Sequence, residues 1–271
     1  MLKHAIWALV PAAGIGKRMQ SDIPKQYLLL NDRPVIEHTV NTLLKSKHIS
    51  GLVVALQSDD AYWQAIKIAS NKPVLVAPGG EERADSVLNA LTMLMQHESY
   101  DESTDWVMVH DAVRPCLRPQ DIEKLVLEVE DNAGGLLALP VRDTMKRQKH
   151  GSNEVNASVA KTIERENLWH ALTPQYFPAK ALRQALEKAL RNKQTITDES
   201  SAMEMAGFSP RLIHGSEDNI KITRPDDLRL ASLYPASYTH FPLPNTCVVV
   251  CLLLVATPST KQPFLLYCTD T

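Results

Sequence analysis

Five short, continuous apolar runs punctuate the first 140 residues: 5–10 (AIWALV), 52–56 (LVVAL), 74–77 (VLVA), 106–109 (WVMV) and 135–139 (GLLAL). Runs of this length without polar alternation predict strands buried on both faces, as in a parallel sheet. Between them apolar residues recur at helical spacing, first at Val35, Val40, Leu43 and Leu44, then at Ala84, Val87, Leu88, Leu91 and Leu94, then at Ile122, Leu125, Val126 and Val129. Strand and helix alternate, which predicts an α/β fold with a doubly wound, mostly parallel sheet.

From Val141 to Ile163 the texture changes to VRDTMKRQKHGSNEVNASVAKTI, polar and charged with a Gly-Ser-Asn turn at its centre. This predicts a protruding β-hairpin arm, either solvated or packed on a second subunit. Helical spacing resumes at 178–192, where Leu182, Leu186 and Leu190 recur every four residues, and at 198–206, with Asp198 as N-cap. A last helix is expected at 225–233, with Thr223 and Asp226 forming a capping box around Pro225. The domain prediction is one unit over 1–234 and an extension over 235–271.

Composition narrows the function classes. A chain of 271 residues with 44% apolar and 22% charged residues has an ordinary globular makeup. A formal net charge of -2 argues against a protein that coats nucleic acid, because that binding needs an excess of cations, but it leaves room for a local basic pocket. Cys116, Cys247, Cys251 and Cys268 show neither metal spacing nor a disulfide framework, and MLKHAIWALVPAAG lacks signal-peptide layout, so a reducing cytoplasm is expected. The apolar stretch Cys247 to Ala256 in the extension is ten residues long, whereas a bilayer span needs about 20, so no membrane partner is expected.

The candidate chemistry lies at the ends of the predicted strands. After strand 5–10 come Ala12, Ala13, Gly14 and Gly16, then Lys17, Arg18 and, beyond a short helix beginning near Lys17, Lys25. Glycines let backbone N–H groups approach an anion, and the three cations could surround a triphosphate at the edge where open α/β sheets bind ligands. The spacing is neither G-x-x-x-x-G-K-[ST] nor G-x-G-x-x-G, since Met19 stands where the last glycine belongs. Asp111, in VMVHDAVRP, could hold a divalent ion that bridges phosphate oxygens, or could cap a turn while Arg114 pairs with a surface acid. Asp218 and Lys221 precede the last helix and could complete a metal and phosphate cage, or merely lead into it. His110, His170 and His214 have no metal-ligand spacing and are expected to be structural.

Together, PAAGIGKRM with PKQYL, GGEERADSV, HDAVRP, VRDTMK, LWHALTPQ, TITDESSAMEMAG and DNIKITRPDDL resemble the 2-C-methyl-D-erythritol 4-phosphate cytidylyltransferases, from about residue 5 to residue 234. The resemblance implies a Rossmann-like homodimer joined by the β-arm, which uses CTP, methylerythritol phosphate and Mg²⁺ or another divalent cation, and needs no nucleic acid. It implies that Ala12, Ala13, Gly14, Gly16 and Lys17 wrap the triphosphate, and that Arg18, Lys25 and Lys221 are catalytic, on the reacting phosphates. Gly80, Glu81 and Ser86 would read cytosine and ribose, and Asp111 and Asp218 would hold the metal. Asp111, Arg114, Thr144, Arg165 and Thr197 would bind the acceptor, with Arg165 reaching across the dimer. Val113 replaces a usual Ala and Glu81 a frequent Asp, and neither change removes a charge. Two other readings stay open at this level: a ribitol 5-phosphate cytidylyltransferase, which shares the nucleotide motifs, and a nucleotide-binding module without turnover.

Overall fold

In the computed structural model, residues 4–14, 23–129, 131–149 and 156–234 are described. The chain divides into two compact units, Met1–Tyr238 and Thr239–Thr271, and the second lies outside the described residues. So do Gly16, Lys17, Arg18 and the helix expected near Lys17, the tip of the arm at 150–155, and Cys247, Cys251 and Cys268.

In chain order the elements are β1 (Ile6–Pro11), β2 (Leu29–Leu30), β3 (Arg33–Pro34), α1 (Val35–Lys45), β4 (Gly51–Leu56), β5 (Val74–Pro78), α2 (Arg83–Leu94), β6 (Trp106–Val109), α3 (Pro119–Glu128) and β7 (Gly135–Pro140). There follow β8 (Met145–Gln148), β9 (Val159–Ile163), β10 (Trp169–Pro178), α4 (Ala179–Arg191), α5 (Glu199–Met205), β11 (Arg211–His214) and α6 (Pro225–Leu233). Seven strands form one sheet in the order β11-β7-β10-β6-β1-β4-β5. Its neighbours are parallel except β10, which runs antiparallel to both β6 and β7.

Burial on both faces accounts for the continuous apolar runs of β1, β4, β6 and β7, but not for that of β5, which lies at the sheet edge with Ala77 buried and Val76 exposed. Along β1, Ile6, Ala8 and Val10 join a layer with α1 and α3, whereas Trp7 and Leu9 join a layer with α2, α4 and α5. Every second side chain meets a different helix layer, so neither face can be polar. A smaller cluster of Leu30, Val35, Val113, Cys116, Ile222 and Ala231 seats α6.

Among the described residues the expected strands and helices are present with ends moved by a few residues. Asp198 caps α5 by accepting the Ser201 N–H at 2.9 Å. At α6 the capping side chain is Asp227 instead of Asp226: its Oδ2 accepts from the N–H of Thr223, the hydroxyl of Thr223 and the N–H of Arg224 at 2.7–2.8 Å. The third helical position reaches back to the N-cap, and with Pro225 first that position is 227. The arm is an antiparallel pair, β8 with β9, separate from the main sheet and exposed except at Ile163.

Two strands have no apolar signature. β10 reads WHALTPQYFP, with Thr173 and Gln175 buried, and its pairing with β7 shifts register between Ala171 and Gln175. β11 reads RLIH, with only Ile213 buried. Among the described residues no helix is long and apolar enough to cross a membrane.

The chain leaves β1 for β4 and β5 on one side and returns to β6 on the other. The carboxyl end of β1 is therefore a topological switch point, where open α/β sheets form their ligand crevice. The adjoining strands constrain one another closely: a Cβ added at Gly51 would lie 2.2 Å from the Trp7 ring. Trp7 is buried, so Gly51→Ala should destabilise the protein by about 1–3 kcal/mol, the usual cost of overpacking. Urea unfolding measures this, and an unchanged midpoint would mean that the ring yields freely.

Candidate active site

A cavity of about 190 Å³ opens at the switch point, bounded by Pro11 to Gly14, Lys25 and Gln26, Gly80 to Arg83 with Ser86, Asp111 to Val113, and Lys221. Short hydrogen bonds hold each wall. Ala12 donates its N–H to the Ala55 carbonyl at 2.8 Å, and its own carbonyl accepts from Gln26 Nε2 at 2.7 Å. Gly80 donates its N–H to Ser86 Oγ at 3.0 Å, which folds the loop against the start of α2. A Cβ at Gly80 would lie 2.2 Å from the Asp85 Cβ, so the turn requires glycine. Lys25 opens a 3₁₀ turn, Lys25–Tyr27, and its Nζ donates to the Ile222 carbonyl at 3.4 Å. That bond brings residues 25 and 221 to the same wall.

Asp111 follows β6 and is nearly enclosed. Its Oδ1 lies 3.2 Å from Arg83 Nε, and its Oδ2 lies 3.2 Å from Arg114 Nε and 3.0 Å from Lys221 Nζ. Burial opposes ionisation, but the charges of Arg83, Lys221 and Arg114 outweigh it and hold the carboxyl below the ordinary carboxylate range. Arg83 also donates from Nη1 to Glu199 Oε1 at 2.5 Å. Burial is the larger influence on Glu199, whose pKa is raised despite Arg83.

A second chain of bonds orients the backbone of Asp111. Its N–H donates to Thr173 Oγ1 at 3.1 Å, and that hydroxyl lies 2.9 Å from His110 Nδ1. His110 Nε2 faces the Arg114 carbonyl at 3.2 Å, which places the ring proton on Nε2 and lets Nδ1 accept from Thr173. Burial lowers the His110 pKa to about 4, so the ring is neutral near pH 7.

The structure brings together Ala12, Ala13, Gly14, Lys25, Gly80, Glu81, Ser86, Asp111 and Lys221 as cavity wall. Arg114 is instead buried beneath it, on Asp111 and, through Nη1, on the Asn219 carbonyl at 2.6 Å. Asp218 does not line the cavity, and its Oδ2 accepts from Arg118 Nε at 2.8 Å and Nη2 at 2.5 Å. Thr144, Arg165 and Thr197 are exposed and line no part of the cavity, and Arg165 Nη1 donates to the Arg142 carbonyl. Sequence reasoning quoted Arg83 within GGEERADSV without giving it a role. Its signal is its place as the first residue of α2, beside the glycine turn.

Among the described residues no group of three or more His, Cys, Asp or Glu side chains is arranged for a metal ion. Magnesium is commonly held by one or two carboxylates plus substrate phosphates. Asp111, ionised and at the cavity wall, fits that role once a metal displaces one of the cations on its oxygens, whereas Asp218 lies off the wall with Oδ2 on Arg118 and Oδ1 buried without a hydrogen-bond partner.

Residues 6–236 match the family described as 2-C-methyl-D-erythritol 4-phosphate cytidylyltransferase. The chain belongs to this family. A cytidylyltransferase of that name from Enterobacter sp. (strain 638) is 46% identical over 236 residues, which cover 87% of this chain and 95% of that one. Another from Aliivibrio fischeri is 48% identical over 231 residues, covering 85% and 93%. The fold agrees with the crystal structure of the Francisella tularensis member at a TM-score of 0.71, with 32% identity and coverage of 85% and 100%. A crystal structure of a 4-diphosphocytidyl-2C-methyl-D-erythritol synthase matches at a TM-score of 0.73, with 33% identity and coverage of 86% and 99%. Family similarity thus spans both sides of the cavity, from β1 to α6.

Thr173 connects the family motif HDAVRP to β10. Thr173→Val keeps the shape but leaves the Asp111 N–H and His110 Nδ1 without their partner. Stability should fall by about 1–3 kcal/mol, the cost of unsatisfied buried polar groups. Urea unfolding with a stability equal to wild type would show that the hydroxyl is dispensable.

Proposed function

We propose that this protein transfers the cytidylyl group of CTP to 2-C-methyl-D-erythritol 4-phosphate, giving 4-diphosphocytidyl-2-C-methyl-D-erythritol and pyrophosphate for isoprenoid precursor synthesis. The observation that carries this reading is the convergence on one cavity of four separate stretches of family motif, ending in Gly14, Gly80, Asp111 and Lys221. An oxygen of the acceptor phosphate attacks the α-phosphorus of CTP, a new P–O bond forms, and the bond to the β-phosphate oxygen breaks to release pyrophosphate. A phosphate monoester dianion is already a nucleophile, so the protein's work is alignment and charge neutralisation. That agrees with a wall that carries Lys25, Arg83, Lys221 and backbone donors beside its carboxylates, instead of a nucleophile paired with a base.

Ala13 and Gly14 offer backbone N–H groups to the triphosphate while Ala12, its N–H held by Ala55, fixes the start of the loop, with Gly16 and Lys17 assigned to the same loop by resemblance. Gly80, Glu81 and Ser86 face the cytidine. Lys25, Lys221 and Arg18 offset the repulsion between the two anionic substrates and stabilise the charge that develops on the α-phosphate oxygens. Arg114 acts from beneath, by holding Asp111. Mg²⁺, held by Asp111 together with phosphate oxygens, would supply further neutralisation of the triphosphate. Thr144, Arg165 and Thr197 bind the acceptor, with Arg165 supplied by the arm of a second subunit in a homodimer. Exposed Met145 and Val159 on the arm support such packing.

Pyrophosphate release with CTP, Mg²⁺ and methylerythritol phosphate tests the function. Release with ribitol 5-phosphate alone would replace the acceptor, and release with neither would remove the enzymatic reading. Lys25→Ala should lower kcat by at least about 100-fold in a folded protein, the scale for losing one charge-stabilising donor. Near-normal turnover would withdraw that role. Arg165→Ala should raise the KM for methylerythritol phosphate with CTP binding little changed, and equal weakening toward both substrates would count against an acceptor role.

A further inference from the structure

Arg83 joins two buried carboxylates that come from distant parts of the chain. Its Nε reaches Asp111 Oδ1 at 3.2 Å and its Nη1 reaches Glu199 Oε1 at 2.5 Å. A guanidinium is planar and its donors are fixed, so the two carboxylates are held at a set separation and angle. Glu199 is the first residue of α5 and is 1% exposed. The turn before it is clamped: Gln175 Nε2 donates to Asp198 Oδ2 at 2.8 Å, Gln175 Oε1 accepts the Ser200 N–H at 2.8 Å, and Thr197 donates its N–H to Ser201 Oγ at 3.1 Å. Asp111, Arg83 and Glu199 thereby form an unbroken series of contacts that ends at the turn carrying Thr197.

An ion pair kept for stability alone is a weak explanation, because buried pairs are often matched by apolar residues of the same volume. A pair built for strength would also use both forks. Here Arg83 Nη2 and Glu199 Oε2 are both buried without a hydrogen-bond partner. One edge of each group is therefore left unpaired in a buried setting.

We propose that Arg83 and Glu199 are positioning residues forming a relay between the nucleotide cavity at Asp111 and the acceptor turn at Thr197, so that CTP binding orders that turn. This rests on the functional reading above for the roles of Asp111 and Thr197. It predicts communication between two sites whose residues share no wall of the cavity.

Hydrogen exchange of residues 195–201 on adding CTP and Mg²⁺ tests the relay in the wild-type protein, in Arg83→Gln and in Glu199→Gln. The nucleotide should slow exchange there by about fivefold or more in the wild type and in neither variant, a factor within the usual range of coupling. CTP is added at saturation for each protein, and protection of residues 12–14 should persist in all three, which shows that the variants fold and bind. Equal protection at 195–201 in the variants, or none in the wild type, overturns the relay. In a kinetic cycle, Thr197→Ala should raise the acceptor KM in the wild-type background but much less in Arg83→Gln, and Arg83→Lys, able to reach one carboxylate but not both, should not restore the coupling. Additive effects overturn the relay. A wild type that releases no pyrophosphate overturns the functional reading instead, and the exchange result still decides the relay.

Discussion

A carboxylate taken out of water is costly unless it is paired, and Asp111 is paired by cations from three places: the start of α2, the turn after β6 and the loop before α6. The converse cost also applies, because Arg83, Arg114 and Lys221 would repel one another at this distance without Asp111 between them. Each loop is therefore confined by the charge of the others. Asp111 is thus outnumbered by its cationic neighbours Arg83, Arg114 and Lys221, of which Arg83 is shared with Glu199.

The sheet makes this confinement possible. β1 lies between two helix layers and between β4 and β6, and chain reversal at its carboxyl end leaves an open crevice over the strand tips. β10 then supplies polar side chains from inside the sheet. Thr173 binds the backbone of Asp111, and Gln175 binds the cap of α5. The antiparallel strand is thus the structural link between Asp111 and the start of α5.

The residues assigned to the acceptor sit differently from those assigned to CTP. Thr144, Arg165 and Thr197 lie on exposed segments, two of them at the ends of an arm with little apolar contact of its own. Their distribution is intelligible if a second subunit completes the acceptor side, as the proposed dimer requires. The described residues assigned to CTP, by contrast, meet on one wall within a single chain.

Elements whose burial is simple were legible in the sequence: β1, β4, β6 and β7, buried as continuous apolar runs, β5, an apolar run at the sheet edge with only Ala77 buried, and the helices, each with an apolar stripe. The arm was legible from its polarity, and Asp198 from its capping chemistry. The wall residues from Ala12 to Gly14, Gly80, Glu81, Ser86, Lys25, Asp111 and Lys221 were legible because they adjoin strand ends or family motifs. Tertiary structure alone decided β10 and β11, the burial of Arg114, the pairing of Asp218 with Arg118, and the bridge from Arg83 to Glu199. The physical reason is that hydrophobic periodicity reports what a residue does to its own element, and it is visible locally. The partner of a buried charge or hydroxyl is a residue distant in the chain, and only the folded sheet brings the two within reach.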